Sequence, residues 1–300
     1  MKHKSIYYLI CILFFIGTLL HAQDRRRIEI EYAPFMNFDE SKPDATILTR
    51  DTTKQVHIKH DGIELWCDEA IYYGEQDFIE AYGNVHVKQG DTINMTSKYV
   101  EYSGKTQLAF ASGSVVLTEP SSKLTTDTLY FDRVKQQAFY RSFGKVVRDT
   151  TGTITSTRGR YYMNSKKYRF VNNVKLFNPE YVIESNQLDF YSLSGFTFLF
   201  GPTTITSETS IIYCERGFYD TQNDTGYFVK KSKINYDERI VEGDSIYFDR
   251  SNNFASATNN IIITDTLNNT IVKSHYAEVF RAKDSVFVTK RALAITLQEN

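Results

Sequence analysis

The chain has 300 residues, with 35 basic and 36 acidic side chains and only 5 prolines. This near balance excludes the basic stripe that a nucleic-acid-binding surface requires, so we expect no nucleic-acid partner. The 21 Phe, the 21 Tyr and the many Thr, Val and Ile residues are typical of β-strands. Beyond the first two dozen residues no window has the i, i+3, i+4, i+7 spacing of an amphipathic helix, so the composition predicts an all-β protein.

The N-terminus is typical of an export signal. A basic start, MKHK, precedes the apolar run SIYYLICILFFIGTLL, and HAQ follows it. The run is shorter than the about 20 apolar residues that a membrane-spanning helix needs, so residues 1–22 are predicted to be a signal peptide cleaved after Ala22. The arginines at 25–27 oppose passage through the membrane, and if cleavage fails the run anchors the protein there.

Two short phrases alternate along the rest of the chain. The glycine–valine phrase is clearest in AYGNVHVK (81–88) and AFASGSVVL (109–117). The aromatic phrase recurs at intervals of 28 to 32 residues, as AIYY (70–73), YVEY (99–102), TLYF (128–131), GRYY (159–162), QLDF (187–190), RGFY (216–219), SIYF (245–248) and AEVF (277–280). A fixed period of this length indicates a repeat architecture. Residues 44–300 are therefore predicted to form one domain of about eight 29-residue repeats, after a first strand and linker at 23–43.

A single repeat predicts strands with one apolar face. Val85 and Val87 alternate with His86 and Lys88, as in a half-buried strand. Turn residues divide the repeat into about three short strands, none of which can bury its apolar side alone. Stacking the copies makes a continuous apolar interior. The last phrase, SVFVTKRALAITLQEN, predicts an uncapped edge strand, and we expect another chain to continue the sheet there; the alternative is that Lys290, Arg291 and Glu299 are enough to prevent pairing.

The order of these phrases is similar to that of a known family. The alternation of A-x-G-N-V-x-V-x-x-G-D with x-x-V-x-Y-x-x-x-T-x-x-x-A-x-G is most complete from Ala81 to Leu117, and HDGIELWCDEAIYY (60–73) precedes it. This pattern resembles the OstA-like family of periplasmic lipopolysaccharide-transport proteins. The likeness spans about residues 44–297 and loses the full motif after Gly144. It implies an open, twisted antiparallel β-jelly roll whose strands form a V-shaped trough.

The resemblance also implies a periplasmic function. Such proteins shelter the acyl chains of lipopolysaccharide in the trough and pair edge strands with other jelly-roll transport proteins, including inner-membrane and outer-membrane components. No cofactor is implied. The repeats are not followed by the strands of a barrel, and the chain is longer than a minimal bridging protein, so bridging and accessory roles both stay open.

The residues predicted to line the trough are the apolar positions of the glycine–valine phrases and of the strands beside them: Val85, Val87, Ile93, Met95, Val115, Leu117, Val174, Leu176, Ile261 and Ile263. The same residues also fit a plain core that holds no ligand. A ligand-free structural or adhesive β-solenoid at the cell surface is therefore the alternative hypothesis.

Acidic pairs and general motifs do not favour an enzyme. DTLYFD (127–132) and DSIYFD (244–249) each hold two Asp residues, but a spacing of five on a strand places them on opposite faces. They are interpreted as turn-flanking acids, which disfavours a carbohydrate-active β-helix enzyme. The chain has no nucleophile elbow, P-loop or C-x-x-C pair, and we expect no catalytic residues.

Histidines and cysteines complete the candidate residues. His57 and His86 lie one repeat apart on the polar face and are predicted to be neighbours, but two imidazoles are too few for a stable zinc site, so no metal is expected. Cys67 and Cys214 lie five repeats apart, beyond the reach of a disulfide, and are predicted to be small half-buried hydrophobic residues.

Overall fold

The structure is a computed structural model that describes residues 27–38, 41, 43–148 and 152–296. The predicted signal peptide, residues 1–22, lies outside this part of the chain. The described residues form antiparallel strands that follow one another in a meander, with a short 3-10 helix at Arg281–Lys283. Within the described ranges no helix is long and apolar enough to cross a membrane.

Half of the strands in the described ranges are 11 or 12 residues long, and the others, of 4 or 5 residues, occur near both ends and around residue 150. The strands are β1 (Glu29–Tyr32), β2 (Phe35–Phe38), β3 (Ala45–Thr49), β4 (Val56–His60), β5 (Ile63–Cys67), β6 (Glu69–Tyr73), β7 (Phe78–Gln89), β8 (Ile93–Ser103), β9 (Leu108–Glu119), β10 (Ser122–Asp132), β11 (Gln137–Tyr140), β12 (Gly144–Arg148), β13 (Gly152–Ser156), β14 (Arg158–Tyr162), β15 (Lys167–Phe177), β16 (Tyr181–Tyr191), β17 (Phe196–Ser207), β18 (Ser210–Asp220), β19 (Thr225–Tyr236), β20 (Arg239–Asp249), β21 (Phe254–Asp265), β22 (Thr270–Phe280), β23 (Ser285–Thr289) and β24 (Leu293–Thr296).

Each long strand changes register near its middle, and this divides the strands into two half-sheets. The valine half-sheet contains the segments with the glycine–valine phrase and runs from β1, β4 and β5 to β24. The aromatic half-sheet contains the segments with the aromatic phrase and runs from β2, β3 and β6 to β23. Residues 29–38, in the predicted first strand and linker, thus supply one edge strand to each half-sheet.

The prediction of about three short strands per repeat is wrong. A repeat contains two long strands joined by a tight turn, and each strand passes through both half-sheets. The glycine that appears to start a strand in A-Y-G-N-V lies inside one. At that glycine the alternation of apolar residues shifts by one position. In the sequence such a shift looks like a turn, but in the structure it is a bend in a continuous strand.

Two consecutive residues with left-handed backbone make this bend. Gly83 (φ 71°) and Asn84 (φ 43°) are the first such pair, and Asn172–Asn173, Lys230–Lys231 and Asn259–Asn260 repeat it. Glycine and asparagine tolerate this region best, which explains why the phrase carries them. The neighbouring strand holds the bend, because the Asp68 backbone N–H donates to the Tyr82 and Gly83 carbonyls and Asn84 Nδ2 donates to Asp68 Oδ2 at 2.6 Å.

Replacing Gly83 by alanine is expected to destabilise the protein by about 1–3 kcal/mol. A Cβ at this position would lie 2.8 Å from Asp68 Oδ2, in addition to the backbone strain at φ 71°. Gly62 has a φ of 83° but no atom within 4 Å of such a Cβ, so Gly62→Ala reports the backbone strain alone. The midpoint of urea unfolding measures both, and equal losses would show that the bend is not sterically constrained.

The two half-sheets face each other across the apolar interior. Inward positions alternate along the inner strands, as in Leu65 and Cys67 of the valine half-sheet and Ala70 and Ile79 of the aromatic half-sheet, all of which are buried. The edge strands β1, β2, β23 and β24 each have one side that no described strand covers. The fold is therefore an open, twisted antiparallel β-jelly roll of stacked repeats, as the sequence predicts.

Candidate functional site

The first repeats enclose an apolar cavity of about 80 Å³ between the half-sheets. Small side chains create it, because Ala109, Ala111 and Ala138 of the aromatic half-sheet leave room opposite longer aliphatic residues. Its other lining residues are mainly aliphatic: Ile58, His60, Ile63, Leu65, Ile79, Val87, Gln89, Ile93, Met95, Val100, Tyr102, Leu117, Leu129, Phe131 and Met163. His60 Nδ1 and the Tyr102 hydroxyl lie 2.7 Å apart and share a hydrogen bond from one half-sheet to the other.

The predicted trough residues fall into two groups. Val87, Ile93, Met95 and Leu117 line the cavity together. The other six are buried in the core and do not line it: Val85, Val115, Val174, Leu176, Ile261 and Ile263.

Sequence reasoning missed the half of the cavity wall that the aromatic half-sheet supplies. Ile79, Ala111 and Leu129 are buried there, each one or two positions from an outward aromatic or polar residue. The alternation around AIYY and TLYF contained this signal. The aromatic residues are the most conspicuous feature of these phrases, but many of them point outward and do not mark the cavity.

Large aromatic side chains fill the middle of the interior. Tyr161 and Tyr168 stack with ring centroids 4.2 Å apart, and Tyr181 packs edge-on against Tyr219 at 5.4 Å. Phe170 is also fully buried here. Burial raises the pKa of Tyr168 to about 12, and the nearby carboxylate of Glu119 acts in the same direction. The interior is therefore a cavity in the first repeats followed by a packed aromatic core.

A second cavity of about 60 Å³ lies in the last repeats, beyond the aromatic core. Ile234, Val241, Phe248 and Val279 form its apolar walls. Open volumes thus lie on both sides of the aromatic core of the described residues, whereas the sequence predicts one continuous apolar interior.

Ion pairs join the turns of the two half-sheets across the open side of the jelly roll, which is called the rim here. Asp61 Oδ2 accepts from Arg133 Nη2 at 2.8 Å, and Arg281 Nη2 lies 3.3 Å from Asp237 Oδ1. Two more pairs make similar contacts: Glu180 with Arg250 at 3.7 Å, and Arg239 with Asp284. Each pair links a turn of the valine half-sheet to a turn of the aromatic half-sheet, so the rim is held at both ends of the molecule.

The two candidate histidines are not direct neighbours, and the prediction that they are is wrong. Trp66 on the intervening strand β5 stacks between them, with centroids 4.6 Å from His57 and 5.3 Å from His86. His57 Nε2 lies 2.9 Å from Glu64 Oε2. The repeat adds two strands per period, so one strand always separates equivalent residues. Among the described residues no three metal-type ligands come together.

The prediction that all four Asp residues of the acidic pairs flank turns holds only for the second member of each pair. Asp132 Oδ1 accepts the Lys135 backbone N–H at 2.9 Å, and Asp249 Oδ1 accepts that of Asn252 at 3.0 Å. Asp127 and Asp244 instead lie at strand bends, where the Asn260 amide donates to Asp244. The bends interrupt the strict alternation on which the opposite-face argument depended, so that argument does not hold as stated.

Cys67 and Cys214 are free thiols and are fully buried, not half-buried. Both occupy inward positions of the valine half-sheet next to a bend. Burial raises the pKa of each thiol to about 12. The thiolate is therefore not populated near neutral pH, which is the behaviour of small core residues.

The two half-sheets share long bent strands, enclose an apolar interior and have free edges. These features define the class of β-jelly rolls that consist of stacked repeats. The family model for OstA-like protein matches residues 25–186, and the chain belongs to this family. Among solved structures, the crystal structure of LptH from Pseudomonas aeruginosa, described as the LptA-homologous periplasmic component of the lipopolysaccharide transport device, is 17% identical. That match covers 46% of this chain and 82% of LptH, with a TM-score of 0.22. No curated protein matches the chain.

Proposed function

We propose that this chain is a periplasmic lipopolysaccharide-transport protein that shelters lipid acyl chains between its half-sheets. Membership of the OstA-like family supports the general role. The observation that carries the lipid-binding part is the cavity lined by Val87, Ile93, Met95 and Leu117, whose walls are almost entirely hydrocarbon. Each methylene removed from water there contributes about 0.8 kcal/mol, without demanding a specific geometry.

Loading requires the rim to widen. A cavity of about 80 Å³ is far smaller than the roughly 300–1,000 Å³ of ordinary small-molecule pockets. Whole acyl chains therefore enter only if the half-sheets separate and the contacts across the rim break. An exposed rim pair such as Asp237–Arg281 costs about 1 kcal/mol or less to break, whereas the Arg133 side chain of the Asp61–Arg133 pair is only 13% exposed and its separation costs more. The proposed trough then extends over all ten predicted positions, including the six that the core now covers.

The bridging role uses the free edges. The exposed edge strand β2, FMNF, has large apolar side chains, with Phe38 80% exposed. Unpaired strand edges are templates for pairing with another sheet. We propose that β1 and β2 at one end, and β23 and β24 at the other, pair with jelly-roll proteins of the inner-membrane and outer-membrane parts of the transport system. Export by the predicted signal peptide would place the chain in the periplasm.

Photo-crosslinking in living cells tests the cargo. A photoreactive residue at Val87, which lines the cavity, is expected to give adducts that carry lipopolysaccharide. The matched control is Lys88, the next residue on the same strand, whose side chain lies on the outer face beside Glu64 and Asn94. Adducts at Val87 and none at Lys88 would support both the cargo and the orientation.

A folded, exported protein without adducts at either position would contradict lipid transport. It would favour the ligand-free structural or adhesive solenoid instead.

A further inference from the structure

A polar recess adjoins the apolar cavity at the rim. Turns of the valine half-sheet (Thr92, 120–121) face turns of the aromatic half-sheet (163–166, 192–193) across an open volume of about 420 Å³. Ile93 and Met163 belong to the walls of both the recess and the cavity. The recess lies between the rim ion pairs Asp61–Arg133 and Glu180–Arg250, so it is a part of the rim that neither of them bridges.

Arg148 in this recess is a buried cation that forms no ion pair with a carboxylate of the described residues. It is only 7% exposed, and its Nε has no hydrogen-bond partner. Its guanidinium lies over the Phe190 ring, 5.3 Å from the ring centroid. A buried charge is costly unless it is paired, so an unpaired one indicates a missing partner of opposite charge.

The other charges of the recess leave it cationic. Lys166 is a second positive group there, over the Tyr161 ring at 5.9 Å. Glu119 is the carboxylate in the recess, and it already accepts hydrogen bonds from Ser122 at 3.2 Å and from the Tyr168 hydroxyl at 3.1 Å. It lies beyond ion-pair distance of Arg148. Among the recess residues that the structure describes, two cations therefore face one carboxylate that is engaged elsewhere.

We infer that this recess binds the anionic headgroup, phosphate or carboxylate, of an amphiphile whose chain occupies the adjoining apolar cavity. The inference rests on the proposed function and deepens it, because it assigns a headgroup class to the lipid. A guanidinium binds phosphate or carboxylate through two parallel hydrogen bonds, and a flexible ammonium adds a point charge. Arg148 and Lys166 supply these groups in the recess whose wall shares Ile93 and Met163 with the cavity.

Calorimetric titration of the full exported chain with soluble amphiphiles tests this inference. The probes are dodecyl phosphate, dodecyl maltoside and inorganic phosphate, each below its micelle concentration where one exists. Dodecyl phosphate is expected to bind more tightly than the maltoside. Arg148→Gln is expected to weaken dodecyl phosphate binding about tenfold, the equivalent of one charge-assisted hydrogen bond, and to leave the maltoside unchanged.

A matched variant and a stability measurement separate binding from folding. Arg141→Gln removes an exposed arginine whose guanidinium lies over the Tyr130 ring of the outer face, and it should change neither affinity. Arg148→Gln should not lower the melting temperature, because it removes an uncompensated buried charge.

The remaining outcomes distinguish failure of the headgroup inference from failure of the proposed function. Equal binding of the two amphiphiles, unaffected by Arg148→Gln, would overturn the headgroup inference and leave the proposed function standing. Failure of both amphiphiles to bind would overturn the proposed function, and this inference with it. Inorganic phosphate that binds as tightly as dodecyl phosphate would overturn the lipid assignment in favour of a free anion.

Discussion

Ala111→Leu is expected to abolish acyl-chain binding while the protein stays folded. Ala111 is 3% exposed and lines the cavity, and the three extra carbon atoms of leucine point into the open volume of about 80 Å³. Because space is available, overpacking should cost less than the usual 1–3 kcal/mol, so we expect at most about 1 kcal/mol of destabilisation. Displacement of a fluorescent fatty acid measures binding, and thermal unfolding measures stability.

Thr118→Leu is the control for this variant. It adds a leucine to the same strand, β9, on the exposed outer face. Fatty-acid affinity should remain at the level of the unmodified chain. If Ala111→Leu binds as well as Thr118→Leu, the acyl chains do not occupy this cavity, and the lipid site must be sought elsewhere on the molecule.

Phe170→Ala is expected to destabilise the protein by about 3–5 kcal/mol. Phe170 is 1% exposed and packs in the aromatic core, 5.9 Å from Tyr168 between ring centroids. Truncation removes the transfer free energy of the ring and leaves a void that the surrounding sheets cannot close. The midpoint of urea unfolding measures the loss.

Phe177→Ala provides the comparison on the same strand, β15. Phe177 lies beyond the bend and is 55% exposed, so its loss should change the free energy of unfolding by no more than about 0.5 kcal/mol. Similar losses for the two variants would contradict a packed aromatic core and favour an interior that is continuous from end to end.

The repeat, the fold class and the family were all predictable from the sequence, because the two phrases recur in register over the whole domain. Strand length was not predictable in the same way. Gly83 and Asn84 are turn-forming residues in most contexts, and only the pairing of Asp68 with Tyr82 and Gly83 turns them into a bend. That pairing joins residues of different strands, so a single repeat read by itself does not reveal it.

The candidate site was predictable in its character but only partly in its extent. Val87 and Met95 line the cavity because they lie opposite Leu65 and Leu117 on neighbouring strands. Val174 and Leu176 have the same pattern but are buried in a filled part of the interior. Side chains of the opposite half-sheet, such as Phe170, fill this part of the interior. Whether such a side chain points inward depends on how the alternation of inward and outward residues continues across each bend.

Because a pair of left-handed residues forms the bend in most repeats, the fold can be lengthened by adding whole repeats. Gly83–Asn84, Asn172–Asn173 and Lys230–Lys231 have little in common chemically, yet each folds the chain in the same way. One unit of about 29 residues adds two strands and lengthens the stack by about 9.6 Å. Tandem duplication or loss of a unit can therefore change the span of the protein in fixed steps, leaving both end strands unaltered. Across related genomes, such length differences should come in whole units.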